Sequence, residues 1–190
     1  MSWLKNEHIQ QMNFSSIGKD VMLSEKASFY NCENIRIGDN VRVDDFCVLS
    51  AGDGGIDIGN NIHIGVFSAL IGGGNILLCD FCGLSSRVVI YSSNEDYSGV
   101  AMTNPTIPAE FKNVQHLDVK VGRHVIIGTG SIILPGVTLE EGVAVGALSL
   151  VKNNCHAFGI YIGAPAKQTG ERKRDLLELE KKFYDIKSST

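Results

Sequence analysis

The stretch Val121-Gly122-Arg123-His124-Val125-Ile126-Ile127-Gly128-Thr129-Gly130-Ser131-Ile132-Ile133-Leu134-Pro135-Gly136-Val137-Thr138-Leu139 carries an aliphatic residue at every sixth position, and Val145 and Val151 continue the beat. The same step appears earlier, at Ile17, Leu23 and Phe29, then Ile37, Val43 and Leu49. It recurs at Ile58, Ile64 and Leu70, and at Leu78, Leu84 and Ile90. Glycine often follows the aliphatic residue, as Gly18, Gly38, Gly59, Gly65, Gly122, Gly128 and Gly146 do. Four places after the aliphatic sits a small or β-branched residue: Cys47, Ser68, Cys82, Val88, Ser131, Val137, Val143 or Ser149.

A period of six matches neither an α-helix nor a simple alternating strand. It matches a solenoid in which each hexapeptide supplies one short strand and one corner, with three faces to a coil. The reading is an all-β solenoid, a parallel β-helix of about six coils, rising roughly 29 Å at the usual strand spacing. The aliphatic residue points inward, the small residue fills the space beside it, and glycine is expected to relieve crowding at the bend. Only 7% of residues are aromatic against 44% hydrophobic, so the core must be aliphatic.

The beat is interrupted in three places. Gly52-Asp53-Gly54-Gly55 and Gly72-Gly73-Gly74 read as corner loops. Between Ile90 and Val121 about 25 residues leave the prism, a length that in compact domains is usually functional or disordered. Tyr97, Pro105, Pro108 and Phe111 in that segment favour an ordered excursion. Past the repeats, Leu176, Leu179, Phe183 and Ile186 fall at helical spacing between Arg172 and Lys187, and Ser2 to Met12 reads as a shorter helix. The organisation is therefore an N-terminal helical segment at 1–16, a β-helix domain at 17–168 with its excursion at 91–120, and a C-terminal helix at 169–190.

Composition narrows the function classes. A net charge of −4 provides no attraction for nucleic acid or an anionic membrane surface. No apolar run is long enough for a membrane span, and Met1 to Phe14 lacks a signal-peptide core, so a cytoplasmic location is expected. Cys79 and Cys82 form a CxxC pair, but Cys82, like Cys47, falls in the small inward slot. The pair reads as packing cysteine rather than redox or zinc chemistry, and five cysteines are an odd count for a disulfide framework. His63 and His124 fall at repeat corners and read as structural; with His116 they make no convincing metal set, and no metal is expected.

Ile127-Gly128-Thr129-Gly130-Ser131, Ile133-Leu134-Pro135-Gly136-Val137, Val145-Gly146-Ala147 and Gly163-Ala164-Pro165-Ala166-Lys167 resemble the hexapeptide-repeat acyltransferases. The left hand of the β-helix is implied by that resemblance alone. In the excursion, Asp80-Phe81, Ser85-Ser86-Arg87, Tyr91, Glu95-Asp96-Tyr97-Ser98-Gly99 and Pro105-Thr106-Ile107-Pro108 resemble the N-acyltransferases of dTDP-4-amino-4,6-dideoxyglucose. The resemblance implies a homotrimer with active sites between subunits, acetyl-CoA as acyl donor, and a nucleotide-linked aminosugar as acceptor in bacterial surface-sugar (O-antigen) biosynthesis.

Acyl transfer from a thioester needs a neutral nucleophile, a route for its proton and donors for the oxyanion. Tyr91 to Gly99 holds no histidine and offers Glu95 and Asp96 instead. A carboxylate is too weak a base for a hydroxyl, whereas an amine titrating near about 8 is partly neutral already, so amine acylation is favoured. Asp96 is the first candidate to orient the amine and take its proton, with Glu95 behind it and the Ser85 hydroxyl as a further contact. For CoA, the resemblance points to Gly128, Gly146 and Ala147 along the C-terminal coils, with Lys152 and Lys167 meeting phosphate. Two other readings stay open: an O-acetyltransferase with His116 as base, and a non-catalytic scaffold.

Overall fold

The computed structural model describes residues 2–188. The chain winds as an all-β solenoid, a left-handed parallel β-helix with three faces. The first face stacks Ser16–Ile17, Ile35–Ile37, Ile56–Ile58, Ile76–Leu78, Val119–Val121 and Thr138–Leu139. The second stacks Met22–Leu23, Val41–Val43, Ile62–Ile64, Gly83–Leu84, Ile126–Ile127, Ala144–Val145 and Gly159–Gly163. The third stacks Ser28–Tyr30, Val48–Ala51, Ala69–Gly72, Val89–Tyr91, Ile132–Ile133 and Leu150–Val151. Six coils are complete, and Cys155 with Gly159–Gly163 begins a seventh.

The beat in the sequence is the inward column. Leu23, Leu49, Ile64, Leu70, Leu84, Ile90, Ile127 and Ile133 are fully buried. Each such side chain contributes about 1.5–3 kcal/mol of transfer free energy. Ile17 departs from this, at 38% exposed, because it lies in the first coil with no strand stacked beneath it. The small slots are also buried, and their polar members are bonded to the adjacent coil. Ser68 Oγ donates to the Ser85 carbonyl at 3.1 Å, Ser131 Oγ to the Gly146 carbonyl at 2.9 Å, and Cys47 Sγ to the Gly65 carbonyl at 3.1 Å.

Glycine works differently from the sequence expectation. The glycine after each aliphatic residue is not the left-handed position of the bend. That conformation falls two residues later, at Asn40 (φ 54°), Asn61 (φ 58°) and His124 (φ 57°) on one corner, and at Phe46 (φ 60°), Phe67 (φ 62°) and Arg87 (φ 61°) on the next. The glycine is required by close stacking instead. A Cβ on Gly122 would lie 2.8 Å from the Leu139 carbonyl oxygen and from the Glu140 carbonyl carbon.

Both termini are tied to the prism. Helix α1 spans Asn6–Gln11, shorter than Ser2 to Met12, because Trp3 bridges to Ser24 and Leu4 N–H donates to the Leu23 carbonyl as an added edge. Ile9 is buried, and Phe14 meets Phe29 edge-on at 5.5 Å. At the other end, Ala166–Glu171 is a strand antiparallel to Gly159–Gly163, reached through the cis Ala164–Pro165 bond. The C-terminal helix α2 therefore spans Asp175–Ser188 rather than starting at 169; Ser189 and Thr190 lie outside the described residues. It docks on the first corner: His124 Nε2 contacts Glu180 Oε2 at 2.8 Å, Arg123 also pairs with Glu180, and Phe81 stacks on His124 and meets Phe183 and Tyr184 edge-on.

The excursion is ordered, as its prolines and aromatics suggested. Ser93–Asn94 pairs antiparallel with Gln115–His116 at its base, a 3-10 turn spans Ala109–Phe111, and Met102 bridges to Lys112.

Two outcomes follow. Gly122→Ala should cost about 1–3 kcal/mol of unfolding free energy through overpacking, read as a lower urea midpoint at unchanged slope. Burial pushes the Cys47 and Cys155 thiols up to about 11, and that of Cys82 further. These three should therefore resist Ellman's reagent at pH 8 in the folded protein and react on denaturation. Rapid native labelling of Cys82 would contradict its place in the core.

Candidate active site

Ser85 follows Leu84 at the corner between the second and third faces, in the slot where Gly65 and Gly128 stand on adjacent coils. The main chain there is used by the stack: Ser85 N–H donates to the Ile127 carbonyl at 2.9 Å, and Thr129 Oγ1 donates to the Ser86 carbonyl at 2.6 Å. Ser85 and Ser86 line a cavity of about 420 Å³ together with Asp44, His63, Gly83 and Ile126.

His63 is the member of this set that a reading of corners missed. It lies within the strand Ile62–Ile64, not at a bend, and points outward beside Gly83 of the next coil. Its Nε2 meets Asp44 Oδ2 at 2.8 Å, and Asp44 Oδ1 accepts from Arg42 Nε at 2.7 Å. Asp44 is buried. The carboxylate accepts, so Nε2 carries the hydrogen and Nδ1 is the nitrogen left for other contacts. The residue preceding the inward aliphatic forms its own column, and following that column in the sequence would have placed His63 next to Gly83.

Glu95 and Asp96 lie in the excursion, which leaves from the far end of the third face. Within one chain Glu95 lines a different cavity from Ser85. That second cavity, about 500 Å³, is bounded by Glu95, Pro105, Ala109, Lys112, Val114 and His116. The two carboxylates are in opposite situations. Asp96 accepts from the Ser98 hydroxyl at 2.8 Å and from the N–H groups of Ser98, Gly99 and Ala101 at 3.1–3.2 Å. The Ser98 hydroxyl first, and these amides with it, hold the Asp96 carboxyl below the usual carboxylate range. Glu95 Oε2 is buried and has no hydrogen-bond partner among the described residues. A buried carboxylate oxygen without a donor is unusual and sets Glu95 apart from Asp96.

His116 is held at the base of the excursion. Its Nδ1 lies 2.7 Å from Ser93 Oγ, which also accepts from Gly73 N–H at 2.6 Å. A Cβ on Gly73 would lie 2.5 Å from that ring, so the glycine loop exists to let the imidazole pack. His124 is bonded to Glu180 at the corner between the first and second faces and lines neither cavity. The described residues contain no cluster of three or more metal-ligating side chains.

The residues read for CoA divide between corners. Gly128, Gly146 and Ala147 succeed one another on the Ser85 corner, where Gly128 N–H donates to the Val145 carbonyl and Gly146 N–H to the Tyr161 carbonyl, both at 2.8 Å. Both glycines are demanded by stacking, since a Cβ would lie 2.5 Å from Ala147 N or 2.8 Å from Ile162 Cγ1. Ala147 and its neighbour Leu148 are exposed. Lys167 is exposed on the terminal hairpin opposite Ile162. Lys152 lies at the following corner, separated from Ala147 by the strand Leu150–Val151.

No protein-family profile matches the chain. A dTDP-4-amino-4,6-dideoxy-D-glucose acyltransferase from Escherichia coli is 55% identical over 183 residues, 96% of this chain and 95% of that one. The crystal structure of AntD, an N-acyltransferase from Bacillus cereus in complex with dTDP and 3-hydroxybutyryl-CoA, superposes with a TM-score of 0.94 at 44% identity, covering 98% of each chain. A serine-to-alanine variant of AntD with dTDP-4-amino-4,6-dideoxyglucose and coenzyme A gives the same TM-score, covering 97% of this chain and 98% of AntD. With a 55% identical relative matched over nearly its whole length, the chain belongs to the hexapeptide-repeat acyltransferases of the dTDP-4-amino-4,6-dideoxyglucose acyltransferase family.

Proposed function

We propose that the protein is a CoA-dependent N-acyltransferase that transfers an acyl group, acetyl in the first instance, to the 4-amino group of a dTDP-linked 4-amino-4,6-dideoxyhexose. The observation that carries this is the near-complete superposition on AntD, whose crystals hold dTDP, the aminosugar nucleotide and coenzyme A. In the reaction the amine nitrogen attacks the thioester carbonyl, the C–N bond forms as the C–S bond breaks, and the amine's proton leaves with the CoA thiol. Donors at the developing oxyanion and a group to steer the amine suffice when the nucleophile is already partly neutral.

The roles divide between the two cavities. Ser85 contacts the amine, and the Glu95 carboxylate accepts a hydrogen bond from it. Asp96, saturated by its own turn and more acidic than usual, shapes the loop that presents Glu95. Because one chain keeps Ser85 and Glu95 on different corners, the working site is assembled in a homotrimer, with the excursion of one copy facing the Ser85 corner of the next. The surface around that corner suits such a contact: Phe46, Phe67, Ile126 and Leu148 are 48%, 47%, 46% and 76% exposed. CoA then runs from Ser85 along Gly128, Gly146 and Ala147, with Lys167 and, from its separate corner, Lys152 offered to phosphate. No described helix is long and apolar enough to cross a membrane, and we place the enzyme in the cytoplasm, where acyl-CoA is made.

The test is release of free thiol from acetyl-CoA with dTDP-4-amino-4,6-dideoxyglucose, compared with the 4-hydroxy sugar nucleotide. Turnover with the amine alone is expected, from a species of three times the chain mass. Absence of turnover by folded, saturated protein would end the reading. Glu95→Gln should lower kcat/KM for the aminosugar by about 10-fold or more, the scale of one charge-assisted hydrogen bond.

The turn at Asp96 gives a separate outcome. A folded-state pKa below the unfolded value means its stabilisation is complete above the ordinary carboxylate pKa near 3.9 and is lost as pH falls through the lower value. Amide protection at Ser98, Gly99 and Ala101 should therefore hold from pH 5 to 8 and fall only below about pH 4. Asp96→Ala should lose that protection at pH 7 with little change in global melting, and Asp96→Asn should lose part of it. Wild-type protection in Asp96→Ala would show that the turn does not depend on this carboxylate.

A further inference from the structure

On the second face, the outward position just before each inward aliphatic forms a column of Met22, Arg42, His63, Gly83, Ile126 and Ala144. Coils are about 4.8 Å apart, so removing one side chain from such a column opens a gap of about 10 Å between its neighbours. Gly83 does this. A Cβ built on it meets nothing within 4 Å, whereas one on Gly65, Gly122 or Gly128 would strike backbone of the next coil. Gly83 also has no positive φ. Neither backbone conformation nor stacking therefore requires glycine at this position. What its absent side chain creates is the cavity of about 420 Å³ that ends at Ser85.

The walls of this notch differ in chemistry. On one side stands His63, its Nε2–H committed to buried Asp44, which leaves Nδ1 for another contact. On the other stands Ile126, with the Gly83 and Leu84 strand as floor. A 4-amino-4,6-dideoxyhexose has the matching asymmetry, with hydroxyls on one edge, a methyl group on the other, and an amine between. We propose that Gly83 is a specificity-determining residue of the acceptor subsite: its notch seats the deoxyhexose ring, with the methyl edge on Ile126, a ring hydroxyl donating to His63, and the amine at Ser85. Asp44 acts through His63 as a positioning residue. The proposal rests on the acceptor named above.

Gly83→Ala and Gly83→Leu test it, because a Cβ at this position meets nothing else in the chain. Both should keep the wild-type melting temperature, oligomeric mass and KM for acetyl-CoA within about 2-fold. KM for dTDP-4-amino-4,6-dideoxyglucose should rise in order of side-chain size, about 10-fold or more for leucine. His63→Ala should raise the same KM and remove the preference for that substrate over its 2- and 3-deoxy analogues, a readout a purely structural histidine would not move. An unchanged aminosugar KM in Gly83→Leu, beside active wild type, would overturn the notch and leave the acyltransfer reading intact. A shift in acyl-chain preference instead would assign the notch to the donor, and a change in mass would assign it to a subunit contact; either outcome overturns the proposal. Inactivity of the wild type with the aminosugar would remove the acceptor reading and the proposal together.

Discussion

Backbone hydrogen bonding between successive coils, with strands held about 4.8 Å apart, is the constraint on which the rest of the molecule depends. It makes each residue answer to the residue at the same place one coil above and below. Inward positions must be aliphatic and interlock, small slots must be filled by groups that bond a neighbouring carbonyl, and the residue after each aliphatic must leave room for the next coil. Gly122, pressed to within 2.8 Å of the Leu139 carbonyl by any added Cβ, shows how little tolerance that spacing leaves.

The same constraint turns the outside of the prism into columns, and the columns make surfaces. Asn40 and Asn61 hydrogen-bond one above the other at 2.8 Å, and Phe46 stacks on Phe67 with ring centroids 5.0 Å apart. Lys26 and Arg87 cap that aromatic pair. A single glycine in such a column, Gly83, is enough to carve a cavity without loops or a second domain. Chemistry is thus added to a repetitive scaffold in two ways, by a missing side chain in a column and by an excursion through a corner.

The excursion obeys different rules. It is closed at its base by a short antiparallel pair and by Ser93 and His116 packed over Gly73, and inside it the local bonds decide which carboxylate is available. Asp96 is absorbed by four donors from Ser98, Gly99 and Ala101, whereas Glu95 keeps a buried oxygen unpaired. Two adjacent acids of the same chemical type thereby acquire different uses.

The beat of aliphatic residues was sufficient to read the three faces, six coils and the inward column, because an inward side chain recurs wherever the chain completes a face. It also identified Cys47 and Cys82 as packing residues. It misjudged the glycines, whose role depends on inter-coil distance rather than on the bend, and it began α1 and α2 too early because edge pairing at Trp3 and Ala166–Glu171 competes with helix. What only the tertiary structure decided is how the outward side chains meet. Met22, Arg42, His63, Gly83 and Ile126 are aligned across intervals of 20, 21, 20 and 43 residues, none of them the 18 of an uninterrupted coil. Counting inward residues aligns His63 with Gly83, but the turn of Asp44 back onto His63 and the cavity that this opens toward Ser85 are set by packing between coils, which the period does not encode.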